Sequence, residues 1–227
     1  MIPRPANPLI VALDVSDIDA AEMLAGTLEG HVGLLKVGLE LFSAHGPAAV
    51  LRLRDRGAVF LDLKLHDIPN TVEHAARNCA RLGAAMFTVH ALGGEAMVAA
   101  AVRGAARGSE ESGNPMPLVA AVTVLSSLGR GSLPSPASLA HEAMSAGATA
   151  AVVSGADVGI VREVVGERFC VVVPGIRPLG ANGDDQSRVL SPEEAVEAGA
   201  DYLVVGRPIT GSPDPAGAAR SILAMLR

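Results

Sequence analysis

The chain has 227 residues, 49% of them hydrophobic, and a net charge of −6, which supplies apolar material for a sizeable core and argues against general disorder. It has no run of basic residues, only 2% aromatics and no Trp, so it lacks both the phosphate footprint and the stacking surface of a nucleic-acid binder. No apolar stretch reaches the roughly 18 residues of a membrane helix. The start, Met-Ile-Pro-Arg-Pro-Ala-Asn-Pro, has no basic segment leading into an apolar core, and the two cysteines, Cys79 and Cys170, sit in no CxxC or metal-type spacing. Together these features predict a soluble cytoplasmic protein whose thiols are small buried hydrophobes.

Short apolar runs alternate with Ala-rich, charge-dotted stretches. The first strand is predicted at 9–14 and is followed by a helix at 17–29. Strands at 34–37, 58–64 and 85–90 lead into helices at 39–55, 70–82 and 94–107. Strands at 118–124, 150–154, 170–174 and 202–205 precede helices at 136–146, 157–165, 192–198 and 214–226. Several helices end at a glycine that opens the next strand: Gly57, Gly83, Gly147 and Gly199. Most strands are continuous apolar runs, the pattern of a parallel sheet covered on both faces. Eight strand–helix units in about 220 residues predict a closed (β/α)₈ TIM barrel, a fold of typically ~250 residues. No linker divides the sequence, so residues 1–227 are read as one barrel domain. An open doubly wound sheet is the competing architecture, and the absence of GxGxxG after the first strand weakens its dinucleotide-binding form.

In such a barrel the active site lies at the C-terminal ends of the strands. Asp14, Lys36, Asp62, Lys64, His90, Thr123 and Ser126 all fall there, and Gly206-Arg207 follows the last strand. The most informative stretch is Asp62-Leu-Lys-Leu-His-Asp-Ile-Pro-Asn-Thr71. Alternation along a strand puts Asp62 and Lys64 on one face and Leu61, Leu63 and Leu65 on the other. If the leucines pack under helices, the charged pair faces the barrel interior, where a carboxylate and an ammonium are costly unless paired. Asp67 follows the strand, and Pro69 suits a helical first turn. Lys36, Asp62, Lys64 and Asp67 alternate in sign, a set better explained by chemistry than by a structural ion-pair network. Pro174-Gly-Ile-Arg-Pro178 and Gly206-Arg207 end strands seven and eight, where these barrels often bind phosphate; glycine admits backbone N–H groups and Arg donates twice. The polar stretch from Arg177 to Val189 is long enough to serve as a lid, with Gln186 as a contact. No zinc, Walker or GxSxG motif is present, and Lys64 supplies the positive charge that a metal would bring between Asp62 and Asp67. The residues read as an enzyme for a small phosphorylated substrate, with lysine as acid or base and without a cofactor.

The stretch from Asp62 to Val72 resembles the signature of the orotidine 5′-phosphate decarboxylase family. Lys36-Val-Gly, Pro174-Gly-Ile-Arg-Pro, Asp184-Asp-Gln-Ser-Arg and Val205-Gly-Arg-Pro-Ile follow in that family's order and spacing, so the resemblance covers roughly Leu9 to Ile209. It implies conversion of orotidine 5′-monophosphate to UMP and CO₂, the last step of de novo pyrimidine synthesis, without metal or cofactor. Lys36, Asp62, Lys64 and Asp67 match the family's charged tetrad, with Lys64 as proton donor. Asp14 matches a ribose contact, Ser126 a pyrimidine contact with Ser127 as the alternative register, and Gln186, Arg207 and Arg177 phosphate ligands. The resemblance further implies a homodimer in which Asp67 and Thr71 reach the neighbouring site. Two other readings compete. One is a metal-dependent sugar-phosphate decarboxylase or aldolase of the same barrel group, which shares Asp-x-Lys-x-x-Asp; the other is a non-catalytic phosphate-binding barrel. Lys36 and the Ile68-Pro-Asn-Thr71 continuation disfavour the first, and the intact tetrad disfavours the second.

Overall fold

Strands that are apolar on both faces need cover on both, and a parallel sheet closed on itself gives them side chains inside and helices outside. The computed structural model describes residues 5–125, 133–177 and 190–226. Its strands are β1 (Leu9–Ala12), β2 (Leu34–Val37), β3 (Val59–Leu65), β4 (Met86–His90), β5 (Leu118–Val122), β6 (Ala150–Val152), β7 (Cys170–Pro174) and β8 (Tyr202–Val205). They form a closed parallel barrel in sequential order, β1 pairing with both β2 and β8. The helices are α1 (Ile18–Thr27), α2 (Leu39–His45), α3 (Pro47–Leu53), α4 (Pro69–Arg81), α5 (Gly94–Ser112), α6 (Pro136–Ser145), α7 (Val158–Val165), α8 (Pro192–Glu197), α9 (Arg207–Thr210) and α10 (Pro215–Met225). This is the (β/α)₈ barrel that the alternation predicts. No described helix is long and apolar enough to cross a membrane.

Two apolar clusters divide the strands by parity. Ile10, Leu34, Phe60, Met86, Ala120, Ala150, Cys170 and Val204 fill the barrel interior, while their odd-numbered neighbours, such as Val11, Leu35, Leu61 and Phe87, pack outward under the helices. Leu63 and Leu65 pack against that outer cluster as well. Lys36, Asp62 and Thr88 each stand two residues beyond an interior residue, on Leu34, Phe60 and Met86 respectively. They therefore belong to the next layer up, at the C-terminal mouth.

Three features differ from the sequence reading. The helix expected at 39–55 is two helices, because Gly46 adopts φ +58° and Pro47 offers no N–H to continue the ladder. The helix expected to stop at 107 continues to Ser112, and a four-residue helix, α9, follows β8 directly. Strand one ends at Ala12 rather than Asp14, although the Leu13 N–H still donates to the Lys36 carbonyl at 3.0 Å. The glycine stops recur as expected at Gly83, Gly147 and Gly199, all at positive φ.

Candidate active site

Four charged side chains from three neighbouring segments meet at the mouth of the barrel. Lys36 Nζ lies 3.0 Å from Asp14 Oδ1 and 3.8 Å from Asp62 Oδ2, and Lys64 Nζ lies 2.8 Å from that same Asp62 oxygen. Charge alternates along the row Asp14–Lys36–Asp62–Lys64, so each ammonium is offset by a carboxylate. The side chains of Lys36 and Asp62 are only 11% and 14% exposed, whereas Asp14 is 60% exposed. The inner pair is thus held largely out of water, where the Coulomb attraction is less screened than at the surface. Gly38 presses close behind: a Cβ there would stand 3.2 Å from Lys36 Nζ and 3.3 Å from Asp14 Oδ1.

The backbone of β3 departs from regular pairing just where the charges occur. Leu61 pairs with Phe87 and Leu65 with Val89, so β3 spends four residues where β4 spends two. Among the described residues Lys64 is the one non-glycine residue at positive φ, +51°. A left-handed conformation costs an L-residue about 1–2 kcal/mol. The strict alternation expected along β3 therefore fails at Lys64, yet its ammonium still returns to Asp62. The residue that makes this possible is Thr88 on β4, which the sequence reading passed over. Its buried hydroxyl accepts the Lys64 N–H at 2.8 Å and donates to Asp62 Oδ1 at 2.9 Å. In the sequence it is one threonine in an apolar run, and only the registry of β3 on β4 gives it a role.

Across a cavity of about 300 Å³ from Asp14, Lys36 and Asp62 stand Gly175, Arg177, Gly206 and Arg207, from the ends of β7 and β8. Gly175 adopts φ +75°. Gly206 faces the first strand: a Cβ there would stand 3.7 Å from Ala12 Cβ and 4.0 Å from Asp14 Oδ2. Gly206 also precedes α9, which begins with Arg207; loops after strands seven and eight with a short extra helix are a recurrent anion site in this architecture.

Asp67 stands apart from the row. It is exposed, its Oδ1 accepts the adjacent Ile68 N–H at 2.6 Å, and among the described residues it forms no ion pair. Thr71 lies exposed in the first turn of α4, which Pro69 opens as expected. Ser126, Ser127 and Gln186, like most of the stretch from 177 to 189, lie outside the described residues. Thr123 is buried and donates to the Val152 carbonyl at 3.0 Å, a link within the barrel wall. His90 stacks on His66, with ring centroids 5.2 Å apart, and its Nδ1 accepts the Leu92 N–H. Both cysteines are buried, and burial pushes their thiols up to about 12 at Cys79 and about 11 at Cys170, away from nucleophilic use.

Along nearly its whole length the chain is similar to known proteins. Residues 7–222 match the model of the orotidine 5'-phosphate decarboxylase / HUMPS family. A protein named orotidine 5'-phosphate decarboxylase in Anaeromyxobacter sp. (strain K) is 52% identical, the alignment covering 98% of this chain and 100% of that one. One of the same name in Moorella thermoacetica is 46% identical over 96% of this chain and 91% of its own. The crystal structure of orotidine 5'-phosphate decarboxylase from Lactobacillus acidophilus superposes with a TM-score of 0.85 at 36% identity, covering 97% of this chain and 99% of that chain. By sequence and by fold, the chain belongs to the orotidine 5'-phosphate decarboxylase / HUMPS family.

Proposed function

We propose that the chain converts orotidine 5′-monophosphate to UMP and CO₂, the last step of de novo pyrimidine synthesis. The observation that carries this reading is the charged row whose Asp14, Lys36 and Asp62 face Gly206 and Arg207 across one cavity, with Lys64 paired to Asp62 at its edge. The phosphate binds at Gly206, Arg207 and Arg177, with Gln186 as a further ligand. The ribose hydroxyls meet Asp14, with Lys36 beside it in the charged row, and Ser126 contacts the pyrimidine. The bond from carbon six to the carboxylate breaks, CO₂ leaves, and the electron pair stays on carbon six. Lys64 stabilises that developing charge and transfers its ammonium proton to the carbon; water then reprotonates the amine. Asp62 keeps the lysines in register, and phosphate binding remote from the reacting carbon supports the chemical step. The row brings its own positive charge beside each carboxylate, so the proposed reaction calls for neither metal nor cofactor.

We further infer a homodimer whose sites are shared. Asp67 and Thr71 project from the β3–α4 junction into solvent, and Ile68 between them is 65% exposed. An exposed apolar side chain flanked by polar ones suits an interface that completes the neighbour's site.

Purified protein mixed with orotidine 5′-monophosphate in excess EDTA should lose ultraviolet absorbance and yield UMP. Lys64→Ala should lower kcat by about 10²–10⁴-fold or more, the usual worth of a positioned general acid. Near wild-type turnover in that variant would remove Lys64 from its role. Activity on a sugar phosphate that appears only with added Mg²⁺ would favour the metal-dependent alternative.

A further inference from the structure

We propose that Thr88 is a positioning residue for this site, its single hydroxyl fixing both the orientation of the Asp62 carboxylate and the left-handed backbone that presents Lys64. The proposal rests on the decarboxylase reading for its kinetic consequence and on geometry alone for its structural one.

A hydroxyl has one proton to give and lone pairs to receive. Thr88 Oγ1 uses both at once, donating to Asp62 Oδ1 at 2.9 Å and accepting from Lys64 N at 2.8 Å. Within the irregular stretch of β3, between the pairs Leu61–Phe87 and Leu65–Val89, the Lys64 N–H is held by this side chain instead of a β4 carbonyl. Without it, that part-buried N–H would lose its acceptor, and the +51° backbone would lose its anchor. Asp62 would keep Oδ2 on Lys64 and Lys36 but be free to rotate about its other oxygen. A β-branched residue suits the task, because its χ1 is stiff and the hydroxyl is held in one direction. Thr88 is fully buried and its hydroxyl is taken up by Asp62 and Lys64, so it acts through them and not on substrate.

The test compares Thr88→Val, which keeps shape and removes both bonds, with Thr88→Ser, which keeps the hydroxyl. Thr88→Val should lower kcat by about 10²-fold, the order expected for a small misplacement of a reacting group. Its affinity for UMP, which has no carboxylate to place, should be unchanged within the error of the titration, giving a loss in kcat without a matching change in binding. Thr88→Ser should recover most of the rate. Thr88→Cys, a weak hydrogen-bonding group of similar size to Ser, covers the case in which Val does not fold and should fall below Ser. Amide exchange at Lys64 provides a readout independent of substrate: protected in the wild type and in Thr88→Ser, fast in Thr88→Val or Thr88→Cys. Wild-type kcat and wild-type Lys64 protection in Thr88→Val would overturn the proposal, as would equal losses in Ser and Cys. A wild-type protein silent on orotidine 5′-monophosphate would remove the functional reading, while the exchange at Lys64 would still decide the role of Thr88.

Discussion

Single side chains at the mouth of this barrel are governed by how far burial and neighbouring charge pull in the same direction. His90 is the clearest case. Burial first, then the adjacent His66 and Lys64, lower its pKa from the ordinary value of 6.5, so the folded protein holds it neutral. The acceptor role of its Nδ1 toward the Leu92 N–H requires the same state. The unfolded chain has no such constraint and takes up the proton near pH 6.5. Stability from this group is therefore complete above about pH 6.5 and is lost as the pH falls below it, toward the lowered folded value. Urea melts between pH 8 and pH 5 should show a decline on the acid side that is shallower in His90→Asn, which keeps a short polar acceptor without a titrating ring. An identical pH slope in both proteins would assign the decline to other groups.

At the scale of elements, helix α5 is placed by glycine and not by charge. A Cβ on Gly104 would stand 2.1 Å from the Glu73 carbonyl oxygen, and one on Gly108 would stand 2.2 Å from that of Arg77, so α4 and α5 touch backbone to backbone. Two ion pairs flank the contact, Arg103–Glu73 at 2.9 Å and Arg77–Glu111 at 2.7 Å. Exposed pairs of this kind contribute up to about 1 kcal/mol at most. Alanine in place of a mid-helix glycine gains up to about 1 kcal/mol from propensity, but here the methyl group meets backbone that cannot move aside alone. Gly104→Ala should thus destabilise the protein by about 1–3 kcal/mol, as overpacking does, whereas Arg103→Ala should cost under about 1 kcal/mol. Thermal melts of the two variants decide it, and the reverse order would mean that α4 and α5 are held by charge. Neither glycine announced this role in the sequence. What a sequence shows well is periodicity along one element; what it hides is the distance between two elements. That distinction also separates Gly83 and Gly147, legible as helix stops, from the extra residues of β3, which exist only relative to β4.

For the molecule as a whole, the two ends of the barrel divide stability from chemistry. At the N-terminal end Arg162 pairs with Asp201 at 2.5 Å and also donates to the Gly199 and Phe169 carbonyls, while Asp201 accepts the Val171 N–H. Both side chains are nearly buried, at 12% and 8% exposure. Removing Arg162 breaks a nearly buried ion pair and leaves the Asp201 carboxylate without that guanidinium, so Arg162→Met should cost about 3–5 kcal/mol in denaturant melts, with kcat per folded molecule unchanged. A loss of kcat without a loss of stability would contradict this division. At the opposite end, the sequence disclosed the charged row because strand ends can be counted, and because interior parity carries from Leu34 to Lys36 and from Phe60 to Asp62. It could not disclose Thr88, whose partners lie on another strand at a register no single strand encodes. Asp67 poses the remaining question, since among the described residues its carboxylate accepts the neighbouring Ile68 N–H and forms no ion pair. A two-fold dimer that exchanges Asp67 between sites answers it and makes a quantitative demand. Lys64→Ala and Asp67→Ala should each be nearly inactive alone. Mixed in equal amounts and allowed to exchange subunits, half of the dimers are hybrids, and each hybrid holds one doubly altered site and one intact site. Activity should rise to about a quarter of the wild-type value, the share of intact sites in a closed two-fold assembly. No rise after proven exchange would place Asp67 with Lys64 of its own chain and leave the dimer without a catalytic reason.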